Sequence, residues 1–473
     1  MPGTLSIDVT SIEEAYQEFL SEYPEYNTTL SLDELRANEF SRIDKNGHTY
    51  LDFVGSNLYP ASLVKEHQEY LLNNVYGNPH SINPTSSLAT KYCEQARNYV
   101  KKYFNDIDDE YVVVFTMNAS GALKLVGESY PFNDDSYFLL TADNHNSVNG
   151  IREFVRNTKA SFAYTDIDQD TLFIEQDKLN NVLSSVDKKN KLFAFPAQSN
   201  FSGVKHDLGL IDKAHEYGWD VLLDAAAFVP TGKLDLSVYK PEFVSVSFYK
   251  MFGYPTGIGC LMMKKTVLSK LKRPWFAGGT IAIASVKADD HYMADNEVGF
   301  EDGTINFLNI PAVEMGLKYL EGLGLKKIQD RVFSLARWTL NELLSLKHDS
   351  GVSLIHLLGT SDMSKRGATI TFNVRSKDGE MVFYEDVEKD AMTMNISLRA
   401  GCFCNPGADE AASNLTIEAL RPIFETGEKL SYARFIEQVK KFTRGAVRVS
   451  FGHISNFNDA YKFVSFIKTY LNR

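Results

Sequence analysis

Cysteine is scarce in this chain of 473 residues: there are four, too few and too scattered for a disulfide framework. Their spacing also fails to gather the Cys and His ligands of a zinc site, so no metal is expected. A reducing, cytoplasmic setting is the expectation. Basic residues are in deficit, 49 Lys and Arg against 61 Asp and Glu, and the formal charge of -12 argues against a nucleic-acid backbone as partner. Long apolar runs are missing too. None approaches a membrane span, and Met1-Pro2-Gly3-Thr4 leads into acidic, polar sequence without the basic-then-apolar order of a signal peptide. A soluble protein is expected. No internal repeat or low-complexity segment stands out.

The length exceeds what one core usually supports, which predicts two domains. The pattern divides into an arm over residues 1–40, a large domain over 41–310 and a smaller C-terminal α+β domain over 311–473. The arm carries Ile12, Ala15, Tyr16 and Phe19 on one helical face and is expected to pack on the main body, with the small domain one candidate surface. Residues 43–53 read as a hairpin, because Asn46-Gly47 between apolar-alternating flanks suits a two-residue turn. A helix is predicted from Ser86 to Tyr103, with Cys93 buried in it.

Seven short apolar runs then alternate with helical patterns: 111–115, 137–140, 161–164, 192–195, 221–223, 243–246 and 258–263. This is the signature of an α/β fold with a mostly parallel sheet covered on both faces, whose ligands bind beyond the carboxyl ends of the strands. The polar residues ending these runs therefore belong together. The first run ends in Asn118-Ala119-Ser120-Gly121, whose small residues open a helix and leave backbone N–H groups for a phosphate, unless Ser120 is a plain N-cap. Another ends near His145, and another in a segment holding Gln198 and Asn200. The fifth ends in Asp224-Ala225-Ala226-Ala227, where a carboxylate among alanines can pair with a protonated pyridine nitrogen or, equally, cap the next helix. The sixth ends at Ser247, followed by Phe248-Tyr249-Lys250. Alone, Lys250 reads as a turn lysine facing solvent. Together with Asp224 and the phosphate-suited loop, it is a candidate Schiff-base lysine for pyridoxal phosphate.

In the small domain, strands are predicted near 367–372, 396–398 and 446–451, with helical patterns over 335–346 and 460–471. Cys402 and Cys404 lie one residue apart in a segment that Asn405-Pro406-Gly407 makes a loop, although free cysteines also serve as small buried hydrophobes. Arg399 lies beside them and would favour a thiolate.

Gly77-Asn78-Pro79-His80-Ser81, the 197–203 and 247–257 segments, Phe300-Glu301-Asp302-Gly303-Thr304 and the 399–407 segment follow the pattern of class V, cysteine-desulfurase-like aminotransferase-fold enzymes. Within that group the chain most resembles the N-terminal desulfurase domain of eukaryotic molybdenum cofactor sulfurases. The resemblance implies the fold type I architecture of pyridoxal-phosphate enzymes, with Lys250 as the Schiff-base residue and Asp224 on the pyridine nitrogen. It implies that His145 stacks on the ring, that Asn200 lies near the phenolic oxygen with Gln198 beside it, and that Ser120, Gly121, Ser247 and Tyr249 hold the phosphate. It further implies a homodimer, with Gly279 and Thr280 of a second protomer completing the phosphate site, and a substrate carboxylate held by Arg448, with Arg399 close by. Cys404 falls where the family forms its persulfide, whereas the Cys402 position varies.

The implied reaction takes L-cysteine to L-alanine with the sulfur left on Cys404. Two features depart from the sulfurase pattern. The chain stops at Arg473 without the C-terminal domain, so a separate sulfur acceptor is expected, and Asp409 replaces a common cysteine. Two other readings stay open: a different pyridoxal-phosphate reaction, such as aminotransfer, C–S lysis or elimination on a specialised amino acid, and a cofactor-free binding protein.

Overall fold

In the computed structural model, which describes residues 9–425, 431, 437 and 444–473, the seven apolar runs join into one seven-stranded sheet. Its order is Tyr111–Thr116, Gly259–Lys264, Phe243–Ser247, Asp220–Asp224, Asn190–Pro196, Ser136–Thr141, Ser161–Thr165. Gly259–Lys264 runs antiparallel to both neighbours, and the remaining pairs are parallel. Alternate side chains enter two apolar layers: Val112, Val114, Leu140 and Leu222 face one, Val113, Leu139, Phe193 and Leu223 the other. Burial on both faces is why these strands read as unbroken apolar runs. Since six strands share a direction, Thr116, Thr141, Pro196, Asp224 and Ser247 end on one edge.

A second, antiparallel sheet orders Ile355–Leu357, Thr369–Val374, Ala446–Ser450 and Arg399–Gly401. The first and last of these were not foreseen, being three residues each. The long helix Leu325–Ser345 and the last helix, Phe457–Lys468, belong to the same apolar layer as this sheet. The arm packs on those two helices: Phe19 lies 4.8 Å from the Phe457 ring and 6.3 Å from Trp338, and Asp33 pairs with the buried Arg331 at 3.0 Å.

The expected hairpin over 43–53 does not form. Residues Arg42–Lys45 make a short helix capped by Asn46, and Thr49–Tyr50 pairs in parallel with Ile396–Ser397 instead of folding back. The Asn46-Gly47 turn thus ends a helix, and the apolar alternation after it serves a partner far along the chain. Asp52 continues that segment and bridges in parallel to Ser450 of the second sheet.

Candidate active site

Strand Phe243–Ser247 runs directly into the short helix Phe248–Phe252, which Gly253 ends at a φ of 79°. A Cβ on Gly253 would strike the backbone of Leu58 and Tyr59 at 2.5 Å, so glycine is required for the close approach as well as for the turn. Lys250 is thereby fixed at the carboxyl edge of the sheet. Burial pushes its amine below the usual lysine range and Arg448 adds to this, while Asp224, Asp52 and Cys404 oppose it. An amine so placed is more readily the free base that a Schiff base requires.

Lys250 lines a cavity of about 340 Å³ together with Ser120, His145, Gln198, Asn200, Asp224, Ser247 and Tyr249, all singled out in the sequence. Asp224 does not cap a helix; turns follow it. Its Oδ1 accepts from the Ala226 amide at 3.1 Å and the Ser245 hydroxyl at 2.9 Å, and among the described residues Oδ2 has no hydrogen bond. His145 is held by Ser147, whose backbone N–H donates to Nδ1 at 3.1 Å. With Nδ1 an acceptor, a neutral ring carries its proton on Nε2. Burial pushes the His145 pKa down, with Lys250 and Arg448 in the same direction and Asp224 opposing.

At the other end of the cavity the helix Ala119–Ser129 begins, and its N-cap is Asn118 rather than Ser120: the Asn118 side chain accepts from the Gly121 amide at 2.9 Å. Gly121 is therefore turned to the cap and lines a neighbouring cavity instead. Ser120 Oγ lies 2.6 Å from Ser147 Oγ, and Ser147, Thr256 and Gly257, given no role by the sequence, complete the wall. Gly279 and Thr280 are not among the cavity's residues. Thr280 is buried in its own turn, its hydroxyl donating to the Ala277 carbonyl at 2.9 Å.

The cysteine loop lies beside the cavity, reaching it from the small sheet, but Cys402, Cys404, Arg399 and Arg448 are not among the residues that line it. Phe403 and Cys404 both take left-handed φ values, 53° and 57°, which turns the chain sharply and leaves Cys404 exposed. Three contacts pin it: the Asn146 amide donates to the Cys404 carbonyl at 2.7 Å, the Asn200 side chain donates to the Phe403 carbonyl at 2.7 Å, and the Asn405 side chain donates to the Asp143 carbonyl at 2.6 Å. Cys402 is half-buried, and burial pushes its thiol above the usual range. Asp409 holds the Arg444 guanidinium at 2.7 Å and the Gly445 amide at 2.8 Å, tying this loop's helix to the strand that carries Arg448. Arg448 is buried, donates to the Asn200 carbonyl at 2.8 Å, stacks 4.5 Å from the Phe403 ring and pairs with Asp52 at 3.0 Å. Asp52 also binds Arg399, whose side chain is half exposed. The sequence missed Asp52; an acid inside the apolar run Tyr50-Leu51-Asp52-Phe53 was the available signal.

This set fits pyridoxal phosphate. The unbonded Oδ2 of buried Asp224 suits a protonated ring nitrogen, Lys250 lies within reach of the same cavity, and hydroxyls with a helix N-terminus line its far end. The chain belongs to the class-V aminotransferases, whose family model matches residues 49–463. It is 38% identical to the molybdenum cofactor sulfurase of Solanum lycopersicum, over 97% of this chain and 60% of that protein. It is 36% identical to the human molybdenum cofactor sulfurase, over 92% of this chain and 51% of that one. The chain thus spans between half and two thirds of these relatives. Among solved structures, the cysteine desulfurase of Thermococcus onnurineus superposes with a TM-score of 0.76 at 21% identity, covering 92% of this chain and 97% of that one, a likeness of fold.

Proposed function

We propose that this chain is a pyridoxal-phosphate-dependent cysteine desulfurase acting through a persulfide on Cys404. The observation that carries the reading is the pinned loop, which sets an exposed thiol beside a cavity containing Lys250 and Asp224. Bound pyridoxal phosphate supplies an electron sink for charge at the substrate Cα. Asp224 orients it through the ring nitrogen, His145 forms one wall, Asn200 and Gln198 lie beside it, and Ser120, Ser247 and Tyr249 surround its phosphate end, with Gly121 supporting the helix start. Arg448 takes the substrate carboxylate, and Lys250 moves the Cα proton. The Cys404 thiolate attacks the substrate sulfur: an S–S bond forms and the C–S bond breaks. The C–S electron pair stays on the substrate carbon, which takes up a proton to leave alanine, and the sulfur can pass from Cys404 to an acceptor.

We infer that a second copy of the chain covers the exposed hairpin of Ile281–Ser285 and Asp290–Met293, where Ile283, Val286 and Tyr292 are open to solvent, and that Gly279 at its base approaches the copy's phosphate site with Thr280 shaping the turn. No helix among the described residues is long and apolar enough to cross a membrane. Four free cysteines support a reducing, cytoplasmic setting.

The test is incubation of the cofactor-loaded protein with L-cysteine, measuring alanine and protein persulfide. Cys404→Ser should keep the bound chromophore and yield neither product, because a serine hydroxyl is not appreciably ionised near neutral pH. Lys250→Ala should remain folded and lose the borohydride-fixable cofactor. Alanine release by Cys404→Ser at the wild-type rate would move the assignment to a lyase or aminotransferase.

A further inference from the structure

Arg399 and Arg448 are direct partners in the antiparallel pair of Arg399–Gly401 and Ala446–Ser450. Like charges placed opposite each other on neighbouring strands repel, so the arrangement requires an anion between them. Asp52 is that anion, with one oxygen for each guanidinium. Its Oδ1 accepts from Arg448 Nη2 at 3.0 Å, and Oδ2 accepts from Arg399 Nε at 3.0 Å and Nη2 at 2.5 Å. The backbone holds it there: the Ser450 amide donates to the Leu51 carbonyl at 2.7 Å and the Val54 amide to Ser450 Oγ at 2.9 Å. Gly55 leaves the room, since a Cβ at that position would collide with the Asp52 carboxylate. Glu388, the other acid acting on Arg399, forms no ion pair with it among the described residues, and its carboxylate is bonded by the Ala400 amide.

The cluster of two guanidiniums and one carboxylate carries one net positive charge. Arg448 is 3% exposed, and its Nε has no hydrogen-bond partner among the described residues, so the buried guanidinium keeps one unsatisfied donor. We propose that Asp52 is a specificity-determining residue: by cancelling one of two guanidinium charges it fits the subsite to an amino acid with a single carboxylate and disfavours one with a second anionic group. The inference rests on the reading above that Arg448 takes the amino-acid carboxylate. A second anion would meet Asp52 without a free cation to answer it. Without Asp52 the subsite would hold two positive charges and accept the dianion.

Equilibrium titration of the cofactor-loaded protein with L-alanine and with L-aspartate, followed by the absorbance of the bound cofactor, measures this preference directly. The wild type should favour alanine. Asp52→Asn should shift the ratio toward aspartate by about tenfold, the effect of one added charge at short range in a partly screened site. Arg399→Gln should weaken binding of both ligands, and the double variant Asp52→Asn/Arg399→Gln, with its net charge restored, should return to the wild-type ratio. A merely structural role for Asp52 would not give that return. If Asp52→Asn does not fold, Arg399→Gln against the double variant decides, and equal ratios for those two would overturn the proposal. An unchanged ratio in folded Asp52→Asn would overturn it as well, provided Arg448→Ala abolishes amino-acid binding. Binding that survives Arg448→Ala unchanged would instead overturn the carboxylate reading and this inference with it.

Discussion

Asn200 and Phe403 are joined by a 2.7 Å hydrogen bond from the Asn200 side-chain amide to the Phe403 carbonyl, so a residue of the cofactor cavity also holds the loop that presents Cys404. Asn405 completes the clasp. Its side-chain amide reaches Asn200 Oδ1 at 3.0 Å and the Asp143 carbonyl at 2.6 Å, while its oxygen accepts from the Ala408 amide and caps the helix Pro406–Ala412. Cofactor cavity, histidine segment and cysteine loop are thus positioned through two asparagines, and the left-handed backbone of Phe403 and Cys404 is maintained by contacts on either side of it.

Asn405→Ala tests this clasp. It removes an N-cap and strands two buried acceptors, which should cost about 2–3 kcal/mol in urea unfolding. Cofactor absorbance should be retained, because no residue of the cavity wall is changed. Persulfide formation should slow by on the order of tenfold to a hundredfold, the usual consequence of a displaced nucleophile. A variant equal to the wild type in urea unfolding and in persulfide formation would show that the loop is held by the remaining contacts alone.

His453 gives the fold an acid-sensitive point. It is buried, with its ring 2.9 Å from the Tyr319 hydroxyl, and burial together with the Arg331 charge pushes its pKa down to about 3. The unfolded chain takes up this proton near the ordinary value and the folded chain resists it, so protons favour the unfolded state as pH falls. The contribution is complete above about pH 6.5 and declines below it by about 1.4 kcal/mol per pH unit. Urea unfolding at about pH 6 and pH 5 should show a slope shallower by roughly that amount in His453→Gln than in the wild type. Equal slopes would place the titrating group elsewhere.

Much of this architecture was legible because the central strands are buried on both faces and read as plain apolar runs, with Asp224 ending one and Lys250 in the short helix that follows the next. What could not be read depends on distant pairing. Asp52 gains its role from Arg448, 396 residues later, and a local turn pattern at Asn46-Gly47 argued for a hairpin that the parallel partner Ile396–Ser397 displaces. Asn118 and Ser120 are two residues apart, and both residue types cap helices well; which of them accepts from the Gly121 amide is fixed by backbone geometry. Thr280, which the resemblance gave to the phosphate site of a second protomer, closes a turn on Ala277 in its own chain, a contact no local pattern announced.

Thiol reactivity offers the last prediction, since the four cysteines occupy different environments. Cys404 is exposed, Cys402 is half-buried with its thiol pushed up by burial, and Cys93 and Cys260 are fully buried. Burial pushes the Cys93 thiol up to about 12 and raises that of Cys260 as well, so neither forms an appreciable thiolate near neutral pH. Limited iodoacetamide treatment of the native protein near neutral pH, mapped by peptide mass spectrometry, should therefore place the first alkyl group on Cys404. Cys402 should follow slowly, and Cys93 and Cys260 only after denaturation. Cys404→Ser should lose the fast phase and leave the slow one. Labelling that begins at Cys402 would show that the loop presents the other thiol and would move the nucleophile two residues toward the N-terminus.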